Sequence, residues 1–293
     1  MTPAAPTSPR RAGAGPARSA APLIALLAAA LCFALLAPAA GAQGPMETDG
    51  GVTGPGQRPQ LLLIHGGSFL FEDPEFESLT RDAALAAGFV PHYVTYPLDN
   101  LPAAVERVRG EARRLREKFG LDRVYAYGAS AGGTLAALLS GDELVSAAVA
   151  KAPVSDLVTW TWPLTQYGES YWESLGVGQA ARERLSPIRR PQLAPLLLIQ
   201  GRADNVVPPS MNEAFAAAYP RVKLWLVAGG HLTERVRPFL VTRAMEWLAR
   251  IAARKAPAPK VESGEKAKSA RTAVSARRTS PAKGPGGPHM LLN

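Results

Sequence analysis

The 293-residue chain has one cysteine, Cys32, and it lies inside the apolar run Leu23 to Leu36 near the start. Once that run is removed as a leader, no cysteine remains. Disulfides, thiolate nucleophiles and cysteine-held metals are then excluded whatever the redox state of the compartment. Histidine is nearly as scarce: His65, His92, His231 and His289 are too scattered to form a chelating cluster, so no metal is expected. No P-loop or dinucleotide fingerprint occurs, and no cofactor is expected. No internal repeat is found.

Acidic residues are missing from the first 42 positions, which carry Arg10, Arg11 and Arg18. The apolar run follows, then Pro38 and Ala39-Ala40-Gly41-Ala42, the pattern of a signal peptide cleaved after about Ala42. A secreted or periplasmic protein is expected. The alternative is an uncleaved membrane anchor, which needs about 20 apolar residues and would have to include Pro22 and Pro38. Arg10-Arg11 lacks the hydrophobic residue that a twin-arginine signal prefers after its pair.

Residues 43–59 read as a flexible segment rich in glycine and proline. Large apolar residues become rare again from residue 255, where eight Lys/Arg stand against two Glu, the composition of a disordered basic tail over 255–293. The tail carries +6 and the leader +3 of the net +9, leaving residues 43–254 neutral. The basic balance is therefore no sign that the folded domain binds nucleic acid. Two uses fit the tail: weak binding of anionic envelope polymers or lipid head groups, or a solubilising extension alone.

Between these ends, short apolar runs at Leu61–Ile64, Val90–Thr95, Arg123–Tyr127, Val145–Ala150, Pro195–Ile199 and Val222–Val227 read as buried strands. Helix-like segments such as 102–118 and 213–219 separate them. Strands alternating with helices imply parallel pairing through right-handed crossovers, hence one doubly wound α/β domain of about six strands over residues 60–254. A last helix is expected from about Leu232 to Ala253, with Val236, Phe239, Leu240, Ala244, Trp247, Leu248 and Ile251 on one face.

Gly128-Ala129-Ser130-Ala131-Gly132 falls between the third strand and a helix of small and leucyl residues. A G-x-S-x-G run in that setting presents a nucleophilic serine on a sharp turn, and the small neighbours let strand and helix pass closely. Serine at its free pKa is a poor nucleophile, so Ser130 needs a base and an acid to orient the base. His92 sits within a strand, His289 in the tail, and His65 opens a glycine loop ahead of the serine. His231, after the last strand in Ala228-Gly229-Gly230-His231, is the candidate base. Asp204 follows the fifth strand, at a strand C-terminal end where open α/β sheets bind ligands, and completes the chain order Ser, Asp, His. Asp156, after the fourth strand, is the alternative acid.

These residues make the chain similar to the α/β-hydrolases over nearly all of 60–253. His65-Gly66-Gly67-Ser68-Phe69 resembles the HGG(G) loop of the hormone-sensitive-lipase-like esterases, with Ser68 where that group has a third glycine. Leu101-Pro102-Ala103-Ala104-Val105 resembles a helix start in the same group. The resemblance implies an oxyanion hole built from the backbone of Ala131 with Gly67 and Ser68. Residues 147–231 are also similar to the catalytic domain of the prolyl oligopeptidase family, through Ala152–Asp156, Tyr167–Trp172 and Ala194–Gly201. There the tyrosine matching Tyr167 helps line the pocket for the residue before the scissile bond. That family places a β-propeller ahead of its hydrolase domain, and nothing in this sequence could form one.

The longest segment between strands, about 155–192, holds three of the five tryptophans and reads as a small aromatic-rich cap over the serine. Trp160, Tyr167 and Tyr171 are its candidate pocket residues, since aromatic faces offer large contact area. The same aromatics could instead seal the cap onto the sheet. The expectation is a secreted serine hydrolase acting through an acyl-enzyme, most simply on short to medium acyl esters. A propeller-less serine peptidase on short peptides and a non-catalytic binding protein on the same scaffold stay open.

Overall fold

The computed structural model describes residues 58–255, without the side chains of 234 and 236. The expected leader, most of the 43–59 segment and the tail beyond 255 lie outside these residues. Six strands form one sheet: β1 (Gln60–Ile64), β2 (Val90–Val94), β3 (Val124–Ala129), β4 (Ala147–Lys151), β5 (Leu196–Gly201) and β6 (Val222–Val227). Their order is β2-β1-β3-β4-β5-β6 and every pairing is parallel. The chain winds one way from β1 to β2, then returns across β1 to build the other half. This is the doubly wound sheet that the alternating pattern predicts.

Side chains alternate along each strand, so neighbouring residues enter different cores. Leu62, Ile64, Ala126, Ala148, Leu196 and Leu198 face one layer, which holds α2 (Leu101–Phe119), α3 (Ala131–Gly141) and α7 (Pro209–Ala218). Leu61, Leu63, Tyr125, Tyr127, Val149 and Leu197 face the other, covered by α1 (Phe76–Ala86) and α9 (Phe239–Lys255). The stripe of α2, Leu101, Ala104, Val105, Val108, Ala112 and Leu115, follows the helical period. By contrast α3 is buried on every side, which explains its small, apolar composition.

Residues 155–192 carry three short helices, α4 (Trp162–Tyr167), α5 (Tyr171–Ser174) and α6 (Gln179–Leu185). The expected last helix is two pieces, α8 (Thr233–Val236) and α9, separated at Arg237-Pro238. Proline disfavours a helical residue before it, and Arg237 is non-helical at φ −140°, ψ 67°. The break rotates the buried face. Phe239 is exposed, while Val241 and Met245 join Leu240, Ala244 and Leu248 inside. Among the described residues no helix is long and apolar enough to cross a membrane.

Candidate active site

Ser130 links β3 to α3 with φ 53° and ψ −117°, a conformation that costs a non-glycine residue of order 1–3 kcal/mol. Its surroundings hold it there. A Cβ on Gly128 would lie 2.1 Å from the Gly132 carbonyl oxygen, and one on Gly132 would lie 2.1 Å from that of Ile64. Strand and helix therefore approach to a distance that only residues without a Cβ allow. The Ser130 amide donates to the Lys151 carbonyl at 2.8 Å, tying the turn to β4.

Asp204 and His231 reach this turn from loops after β5 and β6. His231 Nε2 lies 2.9 Å from Ser130 Oγ, and Nδ1 lies 2.8 Å from Asp204 Oδ2. A carboxylate only accepts, so Nδ1 carries the ring proton and Nε2 is left to accept from the serine hydroxyl. Asp204 is itself fully engaged. Its Oδ1 accepts from the Val206 and Val207 amides, each at 2.9 Å, and Oδ2 also accepts from Gln200 Nε2 at 2.9 Å. Burial alone would raise its pKa; the His231 hydrogen bond and charge, with those amides, outweigh burial and hold it below the usual aspartate range.

Gln200 and Asn212 have no role in the sequence reading. Asn212 on α7 donates to Gln200 Oε1 at 2.7 Å and to the Pro153 carbonyl at 3.0 Å, which fixes the orientation of the Gln200 amide and so its bond to Asp204. The one local signal is a polar residue next to the end of the otherwise apolar strand β5, after Leu196-Leu197-Leu198-Ile199. The alternative acid, Asp156, is elsewhere: Arg189 bonds both its oxygens, at 3.2 and 3.0 Å, and Ser186 and the Val158 amide also donate to it.

The glycine loop runs beside the serine, with Gly66 so placed that a Cβ would sit 3.3 Å from Ser130 Cβ. Gly67, Ser68 and Phe69 have φ of 110°, 54° and 61°. Ser68 thus keeps a glycine-like conformation despite its side chain. Gly67 also closes a turn by accepting from the Leu70 and Phe71 amides. Among the described residues, no acceptor takes the amides of Gly67, Ser68 or Ala131, so all three backbone donors are unused. His65 is buried and stacked on Tyr96 at 4.2 Å, and burial lowers its pKa. It does not meet Ser130. His92 bonds Gln60 on the neighbouring strand.

The segment 155–192 is sewn to the glycine loop and to the Asp204 loop by the aromatics expected to line a pocket. Tyr171 is 1% exposed and its hydroxyl donates to the Ser68 carbonyl at 2.8 Å. Trp160 is 2% exposed and its indole N–H donates to the Val206 carbonyl, next to the Asp204 turn. These two rings form part of the apolar core, with their polar atoms used as struts, and offer no surface to a ligand. Of the three candidate pocket residues only Tyr167, half-buried and stacked on Tyr171 at 5.6 Å, faces solvent. Among the described residues, no group of three His, Cys, Asp or Glu is arranged to hold a metal ion.

A parallel sheet carrying a strained serine after its central strand, with aspartate and histidine supplied in that order by later strands, is the arrangement of the α/β-hydrolase fold. Comparison with known proteins agrees. The sequence profile of the prolyl oligopeptidase family matches residues 112–225, less than half of the chain, including Ser130 and Asp204. No curated protein matches the sequence. Among solved structures, a butyrate-bound thermophilic esterase from the planctomycete Thermogutta terrifontis is 21% identical, with a TM-score of 0.57 over 70% of this chain and 86% of that one. An esterase/lipase from an uncultured bacterium is 19% identical at a TM-score of 0.59, covering 68% and 79%. An acetyl ester-xyloside bifunctional hydrolase from Caldicellulosiruptor lactoaceticus is 19% identical at 0.56, covering 68% and 84%. At these identities the likeness is one of fold: the chain has the α/β-hydrolase fold.

Proposed function

We propose that the chain is a serine hydrolase working through an acyl-enzyme, with carboxylic esters of short to medium acyl chains as its substrates. The observation that carries this reading is the continuous relay from Asp204 through His231 to Ser130, at 2.8 and 2.9 Å, beside three unused backbone donors. His231 Nε2 takes the Ser130 proton as Oγ attacks the acyl carbon. The amides of Ala131 with Gly67 or Ser68 hold the oxyanion, and Asp204 stabilises the imidazolium that forms. The protonated imidazole then gives its proton to the departing alcohol, and water repeats the sequence on the acyl-enzyme.

Esters are favoured over amides because each of the three similar structures named above carries an ester-cleaving activity in its description, and the Thermogutta terrifontis esterase is phosphonylated by sarin in a further structure. The second reading, a propeller-less serine peptidase acting on short peptides, is favoured by the prolyl oligopeptidase profile and by Tyr167 facing solvent. Matched p-nitrophenyl esters and proline p-nitroanilides separate the two. The ester series should show the higher kcat/KM, and Ser130→Ala should lower ester turnover on the order of 10⁶-fold. Faster anilide cleavage would establish the peptidase. Folded protein inert to both series would leave a binding protein on a hydrolase scaffold. We also propose export by the N-terminal leader, which predicts a mature N-terminus just after about Ala42.

A further inference from the structure

The segment leaving the glycine loop is acidic, Glu72-Asp73-Pro74-Glu75, and leads into α1. The segment leaving His231 forms α8, and from it Arg235 reaches back to those acids. Its guanidinium donates to Asp73 Oδ1 at 2.6 Å and also bonds the Glu75 carboxylate. The side chains of Arg235 and Asp73 are each only 14% exposed, so this is no loose surface pair. Resting on the serine-hydrolase reading, we infer that Arg235 is a positioning residue: it clamps the oxyanion loop to the histidine loop so that both halves of the acyl-transfer machinery share one frame.

Each loop has reason to need a clamp. The oxyanion loop has three successive positive φ values, at Gly67, Ser68 and Phe69; glycine adopts its value freely, but at Ser68 and Phe69 the conformation is strained and persists only where the surroundings over-determine it. From the cap it is pinned by the Tyr171 hydroxyl on the Ser68 carbonyl, and from the loop ahead of α2 by the Asp99 amide on the Phe69 carbonyl. Arg235 ties down the downstream side. The histidine loop begins at Gly229-Gly230, with Gly229 at φ 120°, a pair whose backbone freedom would otherwise let the imidazole wander. Thr233 Oγ1 closes that turn on the Gly230 carbonyl at 2.6 Å, and Arg235 lies two residues further on. Arginine suits the role because its planar fork engages two carboxylates at once, where a lysine ammonium acts as a single point charge.

The test uses the full mature chain with Arg235→Met, Arg235→Lys and the pair Asp73→Asn with Glu75→Gln. Turnover of p-nitrophenyl butyrate is measured with thermal melts that confirm the folded state at the assay temperature. Arg235→Met should lower kcat about 10- to 100-fold, the range for a small misplacement of catalytic groups, while KM moves by less than about threefold. Arg235→Lys should recover part of the loss. The acidic pair should reproduce it, and combining that pair with Arg235→Met should add little, because both remove one interaction. Folded Arg235→Met with kcat unchanged would overturn the inference, as would a loss that only tracks the fraction unfolded. Wild-type protein that neither hydrolyses esters nor reacts with a fluorophosphonate would overturn the underlying reading and this inference with it.

Discussion

Asp204→Asn places the sharpest demand on the geometry of the site. All the acceptor positions of the wild-type carboxylate face donors: the Val206 and Val207 amides on Oδ1, Gln200 Nε2 and His231 Nδ1 on Oδ2. An asparagine has one oxygen for these two pairs of donors. The two backbone amides are fixed by the turn and hold the amide oxygen, which turns the NH₂ toward Gln200 and His231. Gln200 resists flipping, because Asn212 donates to its Oε1 at 2.7 Å. His231 resolves the conflict by moving its proton from Nδ1 to Nε2, where it can no longer accept from Ser130. Loss of the correct tautomer costs about 10⁴ in kcat in a triad enzyme of another fold, equivalent to about 5 kcal/mol of transition-state stabilisation. The NH₂ groups of Gln200 and of the substituted side chain then face each other as donors, which adds roughly 1–3 kcal/mol of lost stability. Steady-state ester hydrolysis with a thermal melt reads both terms. A folded Asp204→Asn protein retaining a tenth or more of wild-type kcat would show that Asp204 does not set the His231 tautomer.

Four further outcomes follow from the same structure. Asp156→Asn should weaken the tie to Arg189 and lower the melting temperature while leaving kcat within about twofold, since a surface-facing ion pair contributes only about 0–1 kcal/mol; a collapse of turnover would restore Asp156 as the catalytic acid. Tyr171→Phe leaves the Ser68 carbonyl without its buried donor, costing about 1–3 kcal/mol, or about 2–4 °C of melting temperature per kcal/mol, and should slow acylation; unchanged melting and kcat would remove the strut. Gly132→Ala drives a Cβ to 2.1 and 2.3 Å from the Ile64 and His65 carbonyls, beyond the roughly 1–3 kcal/mol of ordinary overpacking; a soluble, active variant would contradict the packing of the elbow. Because the folded pKa of Asp204 lies below its unfolded value, its contribution to stability is complete above about pH 4 and fades as pH falls through the folded value. Acid titration of wild type against Asp204→Asn should show that slope only in wild type.

The strands and the sharp turn at Ser130 were legible because their signals are local. A run such as Leu61–Ile64 bounded by glycine or proline marks a buried strand, and Ser130 lies within five residues whose small size is itself the steric requirement. Asp204 and His231 were legible at one remove, through their places after successive strands. The break at Pro238 was not, because the apolar period of 236–251 runs across it and masks the backbone restriction that proline imposes on Arg237. For Trp160 and Tyr171 the sequence leaves pocket wall and cap seal both open, because composition reports only aromatic content, whereas contacts to Val206 and Ser68, 46 and 103 residues away, decide their use. Gln200, Asn212 and Arg235 act through partners distant in sequence and leave almost no local trace.

If His231 and Asp204 activate Ser130, the serine reacts with a fluorophosphonate, a reaction read on the folded wild-type chain by intact mass and peptide mapping. The relay predicts one adduct, on Ser130, absent from Ser130→Ala and formed far more slowly in His231→Ala. A folded wild-type chain that stays unlabelled, or that carries its adduct on another residue, would mean that Ser130 is not the activated nucleophile.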